Sequence, residues 1–435
     1  MSAHVHDIVG VGIGPFNLGL ACLAEPTGLD AVFLDRADGF RWHHGMMIEG
    51  ATIQVPFLAD LVTMADPTSP FSFVNWLKQT GRLYPFYIRE SFYALRTEYD
   101  AYCRWAAAQL PNLRWNQEVI AVEHDPADDT YIVRAMRTDT GEESELRARH
   151  VVLGVGTQPV IPAALRGLEG PVIHSSQYLD QRDALRASGS ITVVGSGQSA
   201  AEIYRDLLEG TRDGGYRLDW ITRSPRFFPM EYTKLTLEMT SPEYTDHFHA
   251  LPIGIRQHLG REQRSLYKGI SADLIDDIYD TLYRLSADGP VPTTLMTDTE
   301  VTSAEWDGSR YRLQLRHAQV DREHERETAS LVLATGYAAQ TPPFLEPIAH
   351  RLDHDMLGRL AVARDYSVDG GRVFVQNGEE HTHGLTAPDL GFGAWRNSSI
   401  LSSIIGREVY PIERRIAFQD FGVPADVPAT VGAAR

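Results

Sequence analysis

Short apolar runs that end on glycine recur along this chain, each followed by a stretch with helical spacing. Asp7-Ile8-Val9-Gly10-Val11 is the first, leading into Gly12-Ile13-Gly14-Pro15-Phe16-Asn17. A helix start from Leu18 to Ala24 follows, then a second run, Ala31-Val32-Phe33-Leu34-Asp35. The pattern returns in mid-chain, where Ser190-Ile191-Thr192-Val193-Val194 leads into Gly195-Ser196-Gly197-Gln198-Ser199-Ala200. A helix to about Glu209 and the run Leu218-Asp219-Trp220-Ile221-Thr222 come next. Apolar run, glycine turn, helix and apolar run predict a βαβ unit. Two such openings predict an α/β protein with two Rossmann-like, doubly wound dinucleotide-binding domains.

Two further runs end on a late glycine, His150–Gly156 and Ser330–Tyr337, and alternating strands precede each, around Tyr131–Arg134 and Tyr311–Leu315. The first domain is therefore expected to be discontinuous and interrupted by the second. The expected boundaries are 1–163 for its first part, 164–328 for the second domain with an inserted helical segment, and 329–435 for the return. Asp273–Arg284 predicts an amphipathic helix with Leu274, Ile278, Leu282 and Tyr283 on its apolar side. The tail from Val423, rich in Pro, Ala and Gly, is expected to fray.

Size supports two domains, since 435 residues exceed the about 250–300 at which one core stops growing. The net charge of −18 argues against a nucleic-acid partner, which needs clustered cations. The opening residues carry no signal-peptide pattern, and no apolar run is long enough to span a membrane, so a cytoplasmic, membrane-free protein is expected. Cys22 and Cys103 are the two cysteines; they form no CxxC motif and no disulfide framework. Glu379-Glu380-His381-Thr382-His383 has metal-like composition, but it reads better as a loop, and no metal site is expected.

The glycine turns carry the chemistry. Gly12 permits a tight turn, and Gly14 lets the backbone approach a pyrophosphate resting on the helix N-terminus. The third fingerprint position is Asn17. Asp35 ends the next strand, about 20 residues on, where an acid reaches a ribose hydroxyl. An N-terminal turn of this kind suits FAD. Gly195 and Gly197 repeat the mechanics, but the strand after them ends in Thr222-Arg223-Ser224. An arginine there suits a 2′-phosphate and hence NADPH, a surface arginine being the alternative. Thr335 and Gly336 form a further turn. Electrons then pass from NADPH to flavin. Disulfide reductases share this layout but need a redox-active cysteine pair, which leaves a flavin that hands electrons to O2.

The set Gly12–Leu18, Trp42-His43-His44-Gly45-Met46, Ile53–Leu58, Asp66–Pro70, Gly195–Ala200, Phe227–Met230, Ala334–Tyr337 and Thr382–Leu385 resembles the flavin-dependent N-hydroxylating monooxygenases of siderophore biosynthesis. The resemblance runs from residue 7 to about 410. It implies that NADPH reduces FAD, that oxygen adds at the flavin C4a position, and that an uncharged primary amine attacks the distal oxygen. It implies cofactor contacts from Trp42, His43, Gln54, Val119, Ser199, Arg223 and the Thr386-Ala387-Pro388 turn, with Pro15 and Gln198 inside the two fingerprints. Packing is the alternative for each.

Substrate choice follows from departures within the resemblance. The lysine and ornithine hydroxylases carry a lysine for the substrate carboxylate where this chain has Ala59. A carboxylate enclosed without a cation is costly. Asp389 follows the Thr386 turn and is placed to hold an ammonium; an N-cap or a solvated acid is the alternative. Leu237 stands near the place of an asparagine of the ornithine enzymes. The expected substrate is a short diamine, putrescine or cadaverine, with Gln54 and Asp389 as the catalytic residues and O2 as co-substrate. The resemblance also suggests a homo-oligomer, dimer or tetramer. The alternatives are an ornithine or lysine hydroxylase, with Lys234 or Arg89 meeting the carboxylate, and an uncoupled NADPH oxidase or flavin reductase.

Overall fold

The computed structural model describes residues 4–213 and 215–423. The tail beyond Val423 lies outside the described residues.

The first sheet contains β1 (Val5–Val11), β2 (Ala31–Leu34), β3 (Leu113–Arg114), β4 (Gln117–Asp125), β5 (Thr130–Arg137) and β6 (Glu143–Leu153) in the order β3-β2-β1-β6-β5-β4. β1 lies parallel to β2 and β6, while β4 and β5 form an antiparallel flap on the N-terminal half of β6. Ile8, Val9 and Val11 on β1 are all buried, as a parallel strand between helical layers requires. β4 buries Val119 and Val122 in a polar strand. β6 ends at Leu153, short of the Gly156 to which the expected strand ran on.

Two residues, β7 (Gln158–Pro159), carry the chain across. The second sheet holds β8 (Val172–His174), β9 (Ser190–Val194), β10 (Arg217–Ile221), β11 (Thr293–Met296) and β15 (Ser330–Leu333), all parallel, in the order β11-β10-β9-β15-β8. An antiparallel meander of β12 (Thr299–Trp306), β13 (Tyr311–His317) and β14 (Arg322–Thr328) precedes β15. The expected return at residue 329 is therefore corrected. β15 fills the slot between β9 and β8, and the chain crosses back only at β16 (Tyr337–Ala338), antiparallel to β7. The last strand, β17 (Val373–Val375), then joins β6 in parallel.

Between β10 and β11 the chain inserts helices that include Pro242–Ala250 and Ala272–Ser286. The second covers the expected amphipathic stretch and buries Ile278. Tyr283, expected on its apolar face, is 73% exposed. Cys22 and Cys103 are free and fully buried. Among the described residues no helix is long and apolar enough to cross a membrane.

Two contacts fasten the domains together. Gly45 packs so closely on the Ser176 carbonyl that any Cβ would collide with it. Arg96, on helix Arg96–Ala107, donates two 2.7 Å bonds to Glu202 on helix Gln198–Leu208. Both side chains are nearly buried, at 12% and 6% exposure. Breaking such a pair from one side strands a charge, at about 3–5 kcal/mol. Arg96→Ala should lower the urea midpoint accordingly; an unchanged midpoint would show that the junction does not depend on this pair.

Candidate active site

The first glycine turn joins β1 to helix Pro15–Ala24. Gly12 has φ +88°, and a Cβ there would strike the Gly154 carbonyl, so only glycine fits. Pro15 opens the helix, where its missing N–H removes no helical bond. Asp35 accepts the Ile13 N–H at 2.7 Å and the Ala37 N–H at 2.8 Å, which fixes the turn against the end of β2. Asn17 is fully buried. Its amide donates to the carbonyls of Gly12, Val11 and Val152, and its Oδ1 accepts from Gln376 at 2.7 Å. Its side chain is thus spent inside the protein, and so is that of Val119 in the core.

Behind this turn, Trp42 packs on Tyr99 at 4.9 Å, and its backbone N–H donates to Asp100 Oδ1 at 2.9 Å. His43, in the left-handed region at φ +46°, sits edge-on to Trp42 and to Tyr337 of the crossover. His43 is solvent-accessible, yet its imidazole is held down to about 4 by enclosure and then by the Arg96 charge. A residue both accessible and ringed by protein lines a cleft. The Nε2 of Gln54 is buried and has no protein partner.

The second turn repeats the design on the other sheet. Gly195, at φ +151°, presses on the Ala334 carbonyl. Ser199 stands half-buried in the first helical turn after Gly197. The Gln198 side chain is spent on Glu202 and on the Ser271 N–H. Arg223 is exposed at the end of β10, without an ion pair among the described residues. Thr335 donates to the Val160 carbonyl at 2.5 Å, and Gly336, at φ +86°, accepts from His174 and from the Val160 N–H. These two hold the crossover strands, so any cofactor contact there runs through the backbone.

Ala59 and Asp389, 330 positions apart in sequence, come together. A Cβ built on Gly391 would lie 3.3 Å from Asp389 Oδ1 and 3.7 Å from the Ala59 Cβ. Asp60 accepts the N–H groups of Val62, Thr63 and Phe73 and thereby sets the loop that carries Ala59. Asp389 Oδ1 accepts the Gly391 N–H at 2.9 Å, so the residue is an N-cap. Its other oxygen keeps no protein partner, and the side chain stays part-exposed. Enclosure pushes its carboxyl up, and the Gly391 bond and the Arg396 charge pull it back down. Thr386 and Ala387 turn inward and are buried; Pro388 is half-buried.

Tyr232 faces Asp389 and Tyr93, and burial raises its phenol to about 12. This tyrosine pair was missed from sequence, because nothing local joins positions 93 and 232. Leu237 is half-buried near the end of a short helix, Lys234–Leu237. Arg89 is exposed and bonds the Tyr93 carbonyl at 2.6 Å, and Lys234 is exposed. The metal-like run is consumed elsewhere: Glu379 pairs with Arg396, Glu380 with Lys268, His381 with the Leu360 carbonyl.

The family model described as L-lysine 6-monooxygenase/L-ornithine 5-monooxygenase matches residues 4–339. The chain belongs to this family. It is 51% identical to the FAD-bound cadaverine monooxygenase of the desferrioxamine pathway from Erwinia amylovora, with a TM-score of 0.96 over 98% of this chain and 100% of that one. It is 47% identical to the putrescine N-hydroxylase of Shewanella oneidensis over 96% of this chain and 84% of that protein. The ornithine N-hydroxylase of Kutzneria, solved with reduced FAD, NADP⁺ and L-ornithine, is 30% identical with a TM-score of 0.85 over 93% of this chain and 99% of that one.

For a member of this family, the residues present fit FAD. The first turn leaves backbone N–H groups at a helix N-terminus, and the orphaned Gln54 amide supplies a donor in an enclosed cleft. A test separates this from plain packing. A Cβ on Gly14 would meet protein no closer than 4.0 Å, and its backbone is extended at φ −81°. Gly14→Ala should therefore fold with a wild-type melting curve yet lose flavin absorbance. Gly12→Ala should lose stability as well. Full flavin content in Gly14→Ala would remove the pyrophosphate from this turn.

Proposed function

We propose that this chain is an FAD- and NADPH-dependent monooxygenase that N-hydroxylates one primary amine of putrescine or cadaverine, for hydroxamate siderophore assembly. The observation that carries the substrate class is the pairing of Ala59 with the enclosed Asp389 carboxylate, which has one oxygen on the Gly391 N–H and the other without a protein partner. The cadaverine and putrescine enzymes among its relatives support the same reading. When bound, flavin and nicotinamide supply the two electrons that activate O2, so that amine, O2, NADPH and a proton give hydroxylamine, water and NADP⁺.

The chain's own residues perform the rest. Asp389 receives the distal ammonium by a charge-assisted bond. Tyr93 and Tyr232 line the approach. Ala59 offers nothing to a carboxylate. The Gln54 amide and His43, neutral because it titrates near 4, stand on the flavin side, where an uncharged lining keeps the reacting amine free of its proton. Arg223 takes the 2′-phosphate of NADPH. Two buried free cysteines support a cytoplasmic setting. The exposed strip of Tyr84, Tyr87, Ile88 and Phe92 supports a dimer or tetramer.

NADPH oxidation and hydroxylamine formation should be compared across putrescine, cadaverine, ornithine and lysine. Coupled turnover is expected with the two diamines; efficient ornithine or lysine turnover without diamine product would sink the substrate claim. Asp389→Asn should raise the diamine KM about 10- to 100-fold, the worth of one bond to a charged group. In a separate measurement, Arg223→Ala should raise the KM for NADPH about tenfold or more while barely moving that for NADH. Equal effects on both nucleotides would assign Arg223 to the surface.

A further inference from the structure

The carboxylate that anchors the substrate sits on a loop that is itself held from behind. Arg396, on helix Gly393–Ile405, is fully buried. Its Nη2 donates to the carbonyls of Thr386 at 3.0 Å and Ala387 at 2.8 Å, three and two residues before Asp389. Its Nη1 lies 2.8 Å from Glu379 Oε1, and both side chains have zero exposure. The guanidinium also stacks over Phe16, 4.5 Å from the ring centre, in the first fingerprint.

A buried guanidinium needs a counter-charge and hydrogen-bond partners. Glu379 supplies the first, the two loop carbonyls take the Nη2 donors, and Phe16 stacks against the plane, while Nε keeps no partner among the described residues. Arg396 is also the cation that pulls the Asp389 carboxyl down against its enclosure. The other groups around the pair are few. Tyr232 faces Asp389. Glu379, Tyr366, Arg364 and His383 face Arg396 or its ring contacts. His383 is held well below its usual range by burial and then by Arg364, so it adds no charge.

We propose that Arg396, balanced by Glu379, is the positioning residue of the substrate site. It fixes the loop that presents Asp389 and sets a positive charge behind that loop. This rests on Asp389 being the ammonium anchor. The role differs from a contact to substrate, since Arg396 is fully buried.

Diamines keep both amines protonated in solution well below pH 9, and a proton lost by the reacting amine on binding cancels in the ratio of a variant's affinity to that of wild type, so that ratio as a function of pH reads Asp389. Putrescine Kd should be measured by calorimetry on the FAD-loaded protein with NADP⁺, from pH 5.5 to 8.5. Three variants are compared with wild type: Asp389→Asn, Arg396→Lys, and the paired Arg396→Met/Glu379→Met, which removes both charges without orphaning either. A carboxylate must be ionised to bind an ammonium, so affinity is gained as pH rises through its pKa. Removing the Arg396 charge shifts that gain to higher pH.

The paired variant should bind at least tenfold more weakly than wild type at pH 6 and recover part of the difference by pH 8.5. Arg396→Lys keeps the charge but loses the carbonyl clamp, so its Kd should rise several-fold at every pH with no shift of the profile. A paired variant whose Kd ratio to wild type is the same at all pH values overturns the charge role. A wild-type Kd in Arg396→Lys overturns the clamp. Should the paired variant fail to hold FAD, Glu379→Gln, which leaves Arg396 charged, carries the test, and a profile moved to higher pH would overturn the assignment. An unchanged Kd in Asp389→Asn marks the failure of the anchor reading itself, separately from Arg396.

Discussion

The amide of Asn17 is the interaction on which the flavin-side architecture depends. It binds the ends of β1 and β6 through carbonyl oxygens and reaches the residue after β17 through Gln376. Three parallel strands are thereby pinned at their C-terminal ends, the edge where doubly wound sheets bind ligands. The usual third glycine of the fingerprint lets a helix approach a strand closely. Here the larger Asn17 occupies that space, and glycine moves to the strand, since a Cβ on Gly154 would run into the Asn17 side chain. The turn is rigid because its polar groups are already satisfied by protein, leaving only backbone N–H groups to face outward.

Charge is managed in the same way at larger scale. The chain carries a net −18, yet the charges that organise it are a few buried pairs. Arg96–Glu202 spans the two sheets, and Arg396–Glu379 lies beneath the substrate loop. Buried pairs of this kind add little net stability, because desolvation offsets their attraction. Their effect is geometric: a guanidinium with fixed partners admits few alternative arrangements of the segments it joins. Asp389 is the counter-example, an enclosed carboxylate with one oxygen on a backbone N–H and the other left without a protein partner. That incompleteness is what the proposed ammonium anchor rests on.

Both βαβ openings were legible in the sequence, because glycine turns and apolar runs are local signals. The late boundary was not. Ser330–Leu333 reads as a buried parallel strand in either sheet, and only the vacancy beside β9 decides its place. Ala59 and Asp389 were found as departures from a resemblance, and their meeting across Gly391 is a tertiary fact. Tyr93 and Tyr232 left no trace, since a tyrosine in a loop looks alike in a cleft and on a surface. Arg396 did leave one. An arginine between Trp395 and Asn397, on a helix with apolar Ala394, Ile400 and Leu401, departs from the helix pattern and signals a buried charge with a partner.

The selectivity of such a site is lopsided. Ornithine and lysine differ from the diamines by a carboxylate on the carbon that bears the distal ammonium. Holding that ammonium at Asp389 brings the carboxylate within a few ångströms of a like charge, with Ala59 offering no cation. Two like charges 4 Å apart repel by about 4 kcal/mol at an effective dielectric near 20, close to a thousand-fold in affinity. One methylene of chain length changes burial by about 0.8 kcal/mol, only a few-fold. Pocket walls sharpen length discrimination only if they are stiff, and here the approach is lined by tyrosines on two separate loops. A site of the proposed kind therefore reads charge strongly and length weakly, which would put putrescine and cadaverine on the same side of a barrier against amino acids.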